Sequence, residues 1–240
     1  MRRSVLMLSV AAVLMAGCKP EAATAPQPAS PTAAAANAPA QPAAVIDEHS
    51  YAEPGKVRTK DLALELNVDF AQKQLAGTAT YTLDWLDKAA TQLVLDTRDL
   101  TIEKAEGEVN GQWQPLKFVL APTADKLLGS KLTIETPERP GKVRVTYRTS
   151  PNASGLQWLE PSMTEGKKSP FMFSQSQQIH ARSWVPLQDT PQIRFTYSAK
   201  VTAPKDVMVL MSADNDPNAA RDGDYSFKMP QPIPSYLLAI

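Results

Sequence analysis

Residues 171–191, FMFSQSQQIHARSWVPLQDTP, crowd Gln175, Gln177, Gln178, His180, Arg182, Trp184, Gln188 and Asp189 into one short passage. Side-chain amides both donate and accept, a guanidinium donates in a rigid fork, and a carboxylate accepts on two oxygens. Groups of this kind are costly to bury unless they partner one another or meet a ligand. Arg182 and Asp189 read as an ion pair that orders the loop, since paired guanidinium and carboxylate groups fix backbone well. His180 reads as a packed, hydrogen-bonded imidazole rather than a ligand, and Trp158 and Trp184 as packing. Hydrolytic chemistry needs more than this. A catalytic zinc site takes three protein ligands with one position open. The two histidines, His49 and His180, lie far apart, and no His-Glu-x-x-His spacing places two imidazoles on one helical face. The chain has no motif-supported Ser-His-Asp set and no glycine-rich phosphate loop.

The elements that must carry this passage read as β. Leu62, Leu64, Leu66, Val68 and Phe70 alternate with polar residues, the pattern of a half-buried strand. After a polar break at 69–74, Leu75, Gly77, Ala79, Tyr81, Leu83 and Trp85 take one face and Thr78, Thr80 and Thr82 the other. Shorter strands are predicted over 92–96, 100–109, 116–120, 131–136 and 142–148, punctuated by Asn110-Gly111, Pro122 and Pro140-Gly141. Beyond the polar passage, Ile193 to Val201 alternates again, and 207–212, 225–229 and 235–240 complete the set. No long segment holds a 3.6-residue repeat. The fold class expected is all-β, a saddle-shaped β-sandwich of many short, mostly antiparallel strands.

The chain has 240 residues and a formal net charge of +0, so it lacks the basic footprint that nucleic-acid binding requires. Its opening residues, MRRSVLMLSVAAVLMAGC, read as a lipoprotein signal over 1–18. Arg2 and Arg3 form the positive start, 5–14 the apolar run, and Met15-Ala16-Gly17-Cys18 a lipobox-like cleavage site. Cys18 is the only cysteine, placed where lipidation uses it, which excludes an intramolecular disulfide. Residues 19–55 follow as an Ala/Pro-rich linker, too poor in large apolar side chains over most of its length to offset ordering entropy. These features predict a lipid-anchored, periplasm-facing protein of a bacterial envelope, with its folded part over 56–240. The last residues, PIPSYLLAI, read as an apolar strand without a turn or polar tail after it. That ending predicts the N-terminal portion of a longer enzyme.

Several segments together resemble the zinc aminopeptidase family that includes leukotriene-A(4) hydrolase. The passage FSQSQQIHAR followed by PLQDTP is similar to the family's F-S-Q-x-Q-x-I-H-x-R and P-x-Q-D-T-P motifs. VRTKDLALELNVDF at 57–70, LAGTAT at 75–80, LVLDTRDLTIEKAE at 93–106, Val109-Asn110-Gly111, AKVTAPKDVMVLMS at 199–212 and PIPSYLLAI each match a family segment. The resemblance runs over about residues 56–240, with Ser176 standing where the family usually has cysteine or a small residue.

What the resemblance implies is an N-terminal β-domain that lies over a zinc-bearing catalytic domain. Gln175 and Gln177 match the two glutamines of the motif and are both expected to bind substrate, with Gln177 holding the free amino end of a peptide. An amide oxygen suits that role, because it accepts from an ammonium group without adding a charge that must itself be desolvated. Phe171 and Phe173 are expected to wall the first side-chain pocket, with at least one pointing to the core. Zinc is expected in the complete family enzyme with no ligands in this chain, whose own C-terminal catalytic domain is its expected partner. The family's G-x-M-E-N and H-E-x-x-H motifs are absent from these residues, so this stretch alone is expected to be inactive. The alternative is a free-standing, non-catalytic lipoprotein β-domain for peptide binding or scaffolding.

Overall fold

The computed structural model of the chain describes residues 46–123 and 125–240. The signal, Cys18 and most of the linker lie outside the described residues. Twelve strands appear among them: β1 (Val57–Asp69), β2 (Gln74–Trp85), β3 (Gln92–Thr97), β4 (Thr101–Val109), β5 (Gln112–Pro115) and β6 (Phe118–Leu120) come first. They are followed by β7 (Ser130–Glu135), β8 (Lys142–Arg148), β9 (Leu156–Leu159), β10 (Phe171–Ser174), β11 (Phe195–Thr202) and β12 (Asp224–Ile233). The fold is all-β, as the alternation predicts.

A seven-stranded sheet runs β12-β11-β1-β2-β8-β4-β5, a three-stranded sheet β3-β7-β6, and a two-stranded ribbon β10-β9. All pairings are antiparallel except β1 with β11, which places the first strand of the domain in the middle of the large sheet. The two larger sheets share one core. Leu62, Leu64, Tyr81, Val145 and Tyr197 from the first meet Leu93, Leu95, Leu132 and Ile134 from the second in one buried cluster.

Two local features set this geometry. Register shifts within β1 between Thr59 and Asp61, and buried positions change there from odd (Val57, Thr59) to even (Leu62, Leu64, Leu66, Val68). A bulge of one residue flips every later side chain to the other face, so the strand stays in the core across a bend. The β4–β5 hairpin turns on Asn110 and Gly111, whose φ values of 51° and 76° are those of a two-residue type I′ turn.

Three expectations change. Residues 207–212 are not a strand. The backbone N–H and C=O of Met211 are both taken by the Asn215 side chain, at 3.0 and 2.8 Å, so no neighbouring strand is needed. The terminal segment opens with a 3-10 turn, Ser235–Leu237, rather than a strand. The linker also ends earlier than residue 55. His49, Ser50 and Tyr51 are hydrogen-bonded into the domain, to Arg182 and Asp96.

Candidate functional site

The glutamine-bearing segment is held from two sides. The Gln175 N–H donates to Gly155 O at 2.8 Å, and the Ser174 N–H to Ile240 O at 2.9 Å. Ser176 is buried; its hydroxyl donates to Leu238 O at 2.6 Å and accepts from Trp184 Nε1 at 3.1 Å. Trp184 itself is fully buried. The chain then turns outward through a cis peptide between Gln177 and Gln178.

Neither glutamine is sealed in the interior, yet their surroundings differ. The Gln175 amide oxygen accepts the Gln177 N–H at 3.2 Å, an interaction within its own turn. Gln177 instead lines an open surface cavity of about 730 Å³ together with Gln178, Ile179, Pro191 and Tyr236. The same cavity is also lined by residues 46–49, Ile46-Asp47-Glu48-His49. The structure therefore brings Gln177 to a cavity wall and leaves Gln175 outside it.

Phe171 and Phe173 lie elsewhere. Residues i and i+2 of a strand share a face, and both rings project outward, 52% and 37% exposed, with centroids 5.9 Å apart. Met172 points the other way, against the core. The expectation that one phenylalanine enters the core fails on this alternation. The two rings border a separate apolar cavity of about 190 Å³, along with Phe70, Met208, Leu210 and Ile240.

Beneath the Gln177 cavity lies a buried ionic knot. Arg182 Nε donates to Asp189 Oδ2 at 2.9 Å, with both side chains fully buried. Its Nη1 donates to Leu128 O at 2.9 Å, and its Nη2 to His49 O at 2.7 Å and Asp189 O at 3.2 Å. The guanidinium thus pairs with the carboxylate through Nε and spends its two ends on backbone carbonyls. Asp189 Oδ1 accepts from Ser235 Oγ at 2.6 Å. Asp96, also fully buried, accepts from Ser50 Oγ at 2.6 Å, Tyr51 N at 2.7 Å and Asp189 N at 2.9 Å, with Arg182 Nη1 3.8 Å away. Burial pushes the Asp96 carboxyl up from its ordinary value, against the opposing pull of Arg182, the Ser50 hydroxyl and two backbone amides. Sequence reasoning missed Asp96. Its signal was a lone carboxylate inside the apolar run LVLDT.

Gln188 is structural. Its amide donates to Val57 O at 2.9 Å and accepts from Thr59 N at 2.9 Å, so it stands in for a strand where β11 no longer pairs with β1. His180 Nδ1 lies 3.1 Å from Arg98 Nη1 and 3.0 Å from Ser154 Oγ. Arginine only donates, so Nδ1 is the unprotonated acceptor and the ring is neutral there. Burial, and after it the Arg98 charge, hold the imidazole below its usual value. Among the described residues no three His, Cys, Asp or Glu side chains form a metal-binding group. With His180 facing a guanidinium, these residues do not fit a zinc ion.

A hydrophobic β-core, a glutamine at an open cavity and a buried ionic knot define a domain with a place to seat a ligand. Residues 50–237 match the Peptidase M1 N-terminal domain, and the chain belongs to that family. It is 40% identical to leukotriene A-4 hydrolase of Xenopus laevis over 204 residues, covering 81% of this chain and 33% of that protein. It is 35% identical to leucine aminopeptidase 2 of Pyricularia oryzae over 193 residues, covering 76% of this chain and 30% of that one. Among solved structures, yeast LTA4 hydrolase in complex with bestatin is similar at a TM-score of 0.73 and 28% identity, covering 84% of this chain and 31% of that chain. An M1 zinc metallopeptidase from Deinococcus radiodurans shares the fold at a TM-score of 0.61 and 21% identity, covering 80% and 43%. The chain spans about a third of the length of the curated relatives it matches.

Proposed function

We propose that this chain is the substrate-positioning N-terminal domain of a bacterial zinc metallo-aminopeptidase, and that Gln177 receives the amino end of a peptide. The observation that carries this reading is the side chain of Gln177 at the wall of an open cavity of about 730 Å³, in a chain whose relatives include a leucine aminopeptidase. An amide oxygen there accepts from the peptide's ammonium group and fixes which bond is presented, while Gln175 shapes the turn that carries Gln177. Zinc and the groups that activate water belong to a catalytic domain outside this chain, and the chain alone is inactive. The exposed face of Phe171, Phe173 and Leu210 is the surface we assign to contact with that domain. Cys18 carries the lipid that holds the protein at the envelope; metabolic lipid labelling that persists in Cys18→Ala would refute this.

The decisive experiment is steady-state hydrolysis of an aminoacyl arylamide by the full-length protein and its Gln177→Ala variant. Losing a hydrogen bond to a charged group costs about 1.5–3 kcal/mol, so kcat/KM is expected to fall about tenfold to a hundredfold with the thermal midpoint unchanged. Wild-type kinetics in the variant would end the amine-holding role.

A further inference from the structure

The Gln177 cavity is lined by two sets of residues of different origin. One comes from the polar passage and the terminal turn, including Gln177 and Tyr236. The other is Ile46, Asp47, Glu48 and His49, which directly follow the Ala/Pro-rich stretch. Composition alone makes this stretch a frayed end, yet the structure pins His49 and the two residues after it at three points. Arg182 Nη2 donates to His49 O at 2.7 Å, and Asp96 accepts from Ser50 Oγ at 2.6 Å and Tyr51 N at 2.7 Å. Arg182 and Asp96 are both fully buried, so the anchors are rigid and shielded from water. The segment is also folded on itself, with the His49 N–H donating to Asp47 Oδ1 at 2.9 Å and the Ser50 N–H to Asp47 O at 3.3 Å.

We propose that residues 46–51 are a built wall of the ligand cavity and that Asp96 is a positioning residue for it, acting through Ser50 and Tyr51. The knot that holds this wall also holds Ser235, next to the cavity residue Tyr236, through Asp189 Oδ1 at 2.6 Å, so stretches that line the cavity from both ends of the chain are tied to one set of buried charges. Asp47 and Glu48 give the wall two carboxylates, and among the described residues no lysine or arginine lines the cavity. That balance suits the ammonium end of a peptide, an identity that rests on the substrate-positioning reading above.

Two measurements on the full-length protein test this. Hydrogen exchange reports whether the wall is built: the Tyr51 amide is expected to exchange slowly and to lose protection in Ser50→Ala combined with Asp96→Asn. Rapid exchange in the wild type overturns the proposal whatever the kinetics show. The second measurement replaces the cavity-facing residues (Ile46→Gly, Asp47→Ser, Glu48→Gly, His49→Ser) and follows alanine p-nitroanilide hydrolysis beside Gln177→Ala. A rise in KM of about tenfold with kcat and the thermal midpoint little changed supports the wall. An unchanged KM there, with Gln177→Ala impaired, overturns the wall and leaves the Gln177 reading intact. No effect in either variant, or no turnover by the wild type, overturns both.

Discussion

Arg182 shows how a single buried charge is tolerated. Four of its five N–H donors are used, by one carboxylate and three backbone carbonyls that include Asp189's own, the Asp96 carboxylate lies 3.8 Å from Nη1, and the side chain is closed to solvent. Removing one partner of such a set is far costlier than replacing the whole set, because the remaining charge stays buried and uncompensated. Arg182→Met is therefore expected to destabilise the domain by about 3–5 kcal/mol in urea unfolding; a loss below about 1 kcal/mol would contradict the knot's role. His180 gives a pH signature. Its folded-state value lies below the unfolded one, so between the two the unfolded chain binds more protons. Stability contributed at neutral pH is lost as pH falls below about 6.5 toward the folded-state value. Asp189 on the same loop opposes this shift, while Arg98 and Arg182 reinforce it. Urea midpoints measured from neutral to mildly acidic pH are expected to fall more steeply in the wild type than in His180→Gln, whose amide oxygen still accepts from Arg98. Parallel slopes would remove His180 from the account.

At the scale of elements, period-two alternation made β1, β2 and β8 readable, because each buries one face along its whole length. The four-residue strands β5, β9 and β10 were not, since so short a run barely distinguishes alternation from chance. The polar passage was legible as a site by its residue types. Which glutamine faces a cavity was not, because that depends on a turn anchored by Gly155 and Leu238, distant in sequence. Gly155 packs tightly against this turn. A Cβ there would lie 2.6 Å from His180 O and 2.7 Å from Ser183 Oγ, and the Gly155 N–H donates to that hydroxyl at 2.8 Å. Gly155→Ala must push the 3-10 turn Ala181–Ser183 away, and overpacking of this kind costs about 1–3 kcal/mol. The Gln175 amide, bonded to Gly155 O, is expected to lose exchange protection in that variant. Unaltered protection and stability would show that the approach is looser than described.

For the whole domain, the apolar cavity beside β10 is the main departure from a water-facing surface. Phe171, Phe173 and Leu210 are 52%, 37% and 55% exposed around it. Contiguous apolar surface of this sort marks a place of association. An environment-sensitive apolar dye is expected to fluoresce with this chain and to lose much of that signal in Phe171→Lys combined with Leu210→Lys. Equal signals would mean that the face is not open to solvent. The sequence shows hydrophobic residues here but not their exposure, which follows from 207–212 forming no strand and from the outward face of β10.

The central place of β1 has a consequence for biogenesis. Its parallel neighbour β11 comes from the far end of the domain, so one edge of β1 has no sheet partner until Phe195–Thr202 has emerged. At ordinary elongation rates that interval is on the order of ten seconds. During it the nascent chain carries an open, leucine-rich ribbon able to join another molecule's strand. A holding chaperone present during synthesis should therefore raise the yield of this domain more than that of an up-and-down barrel of equal length.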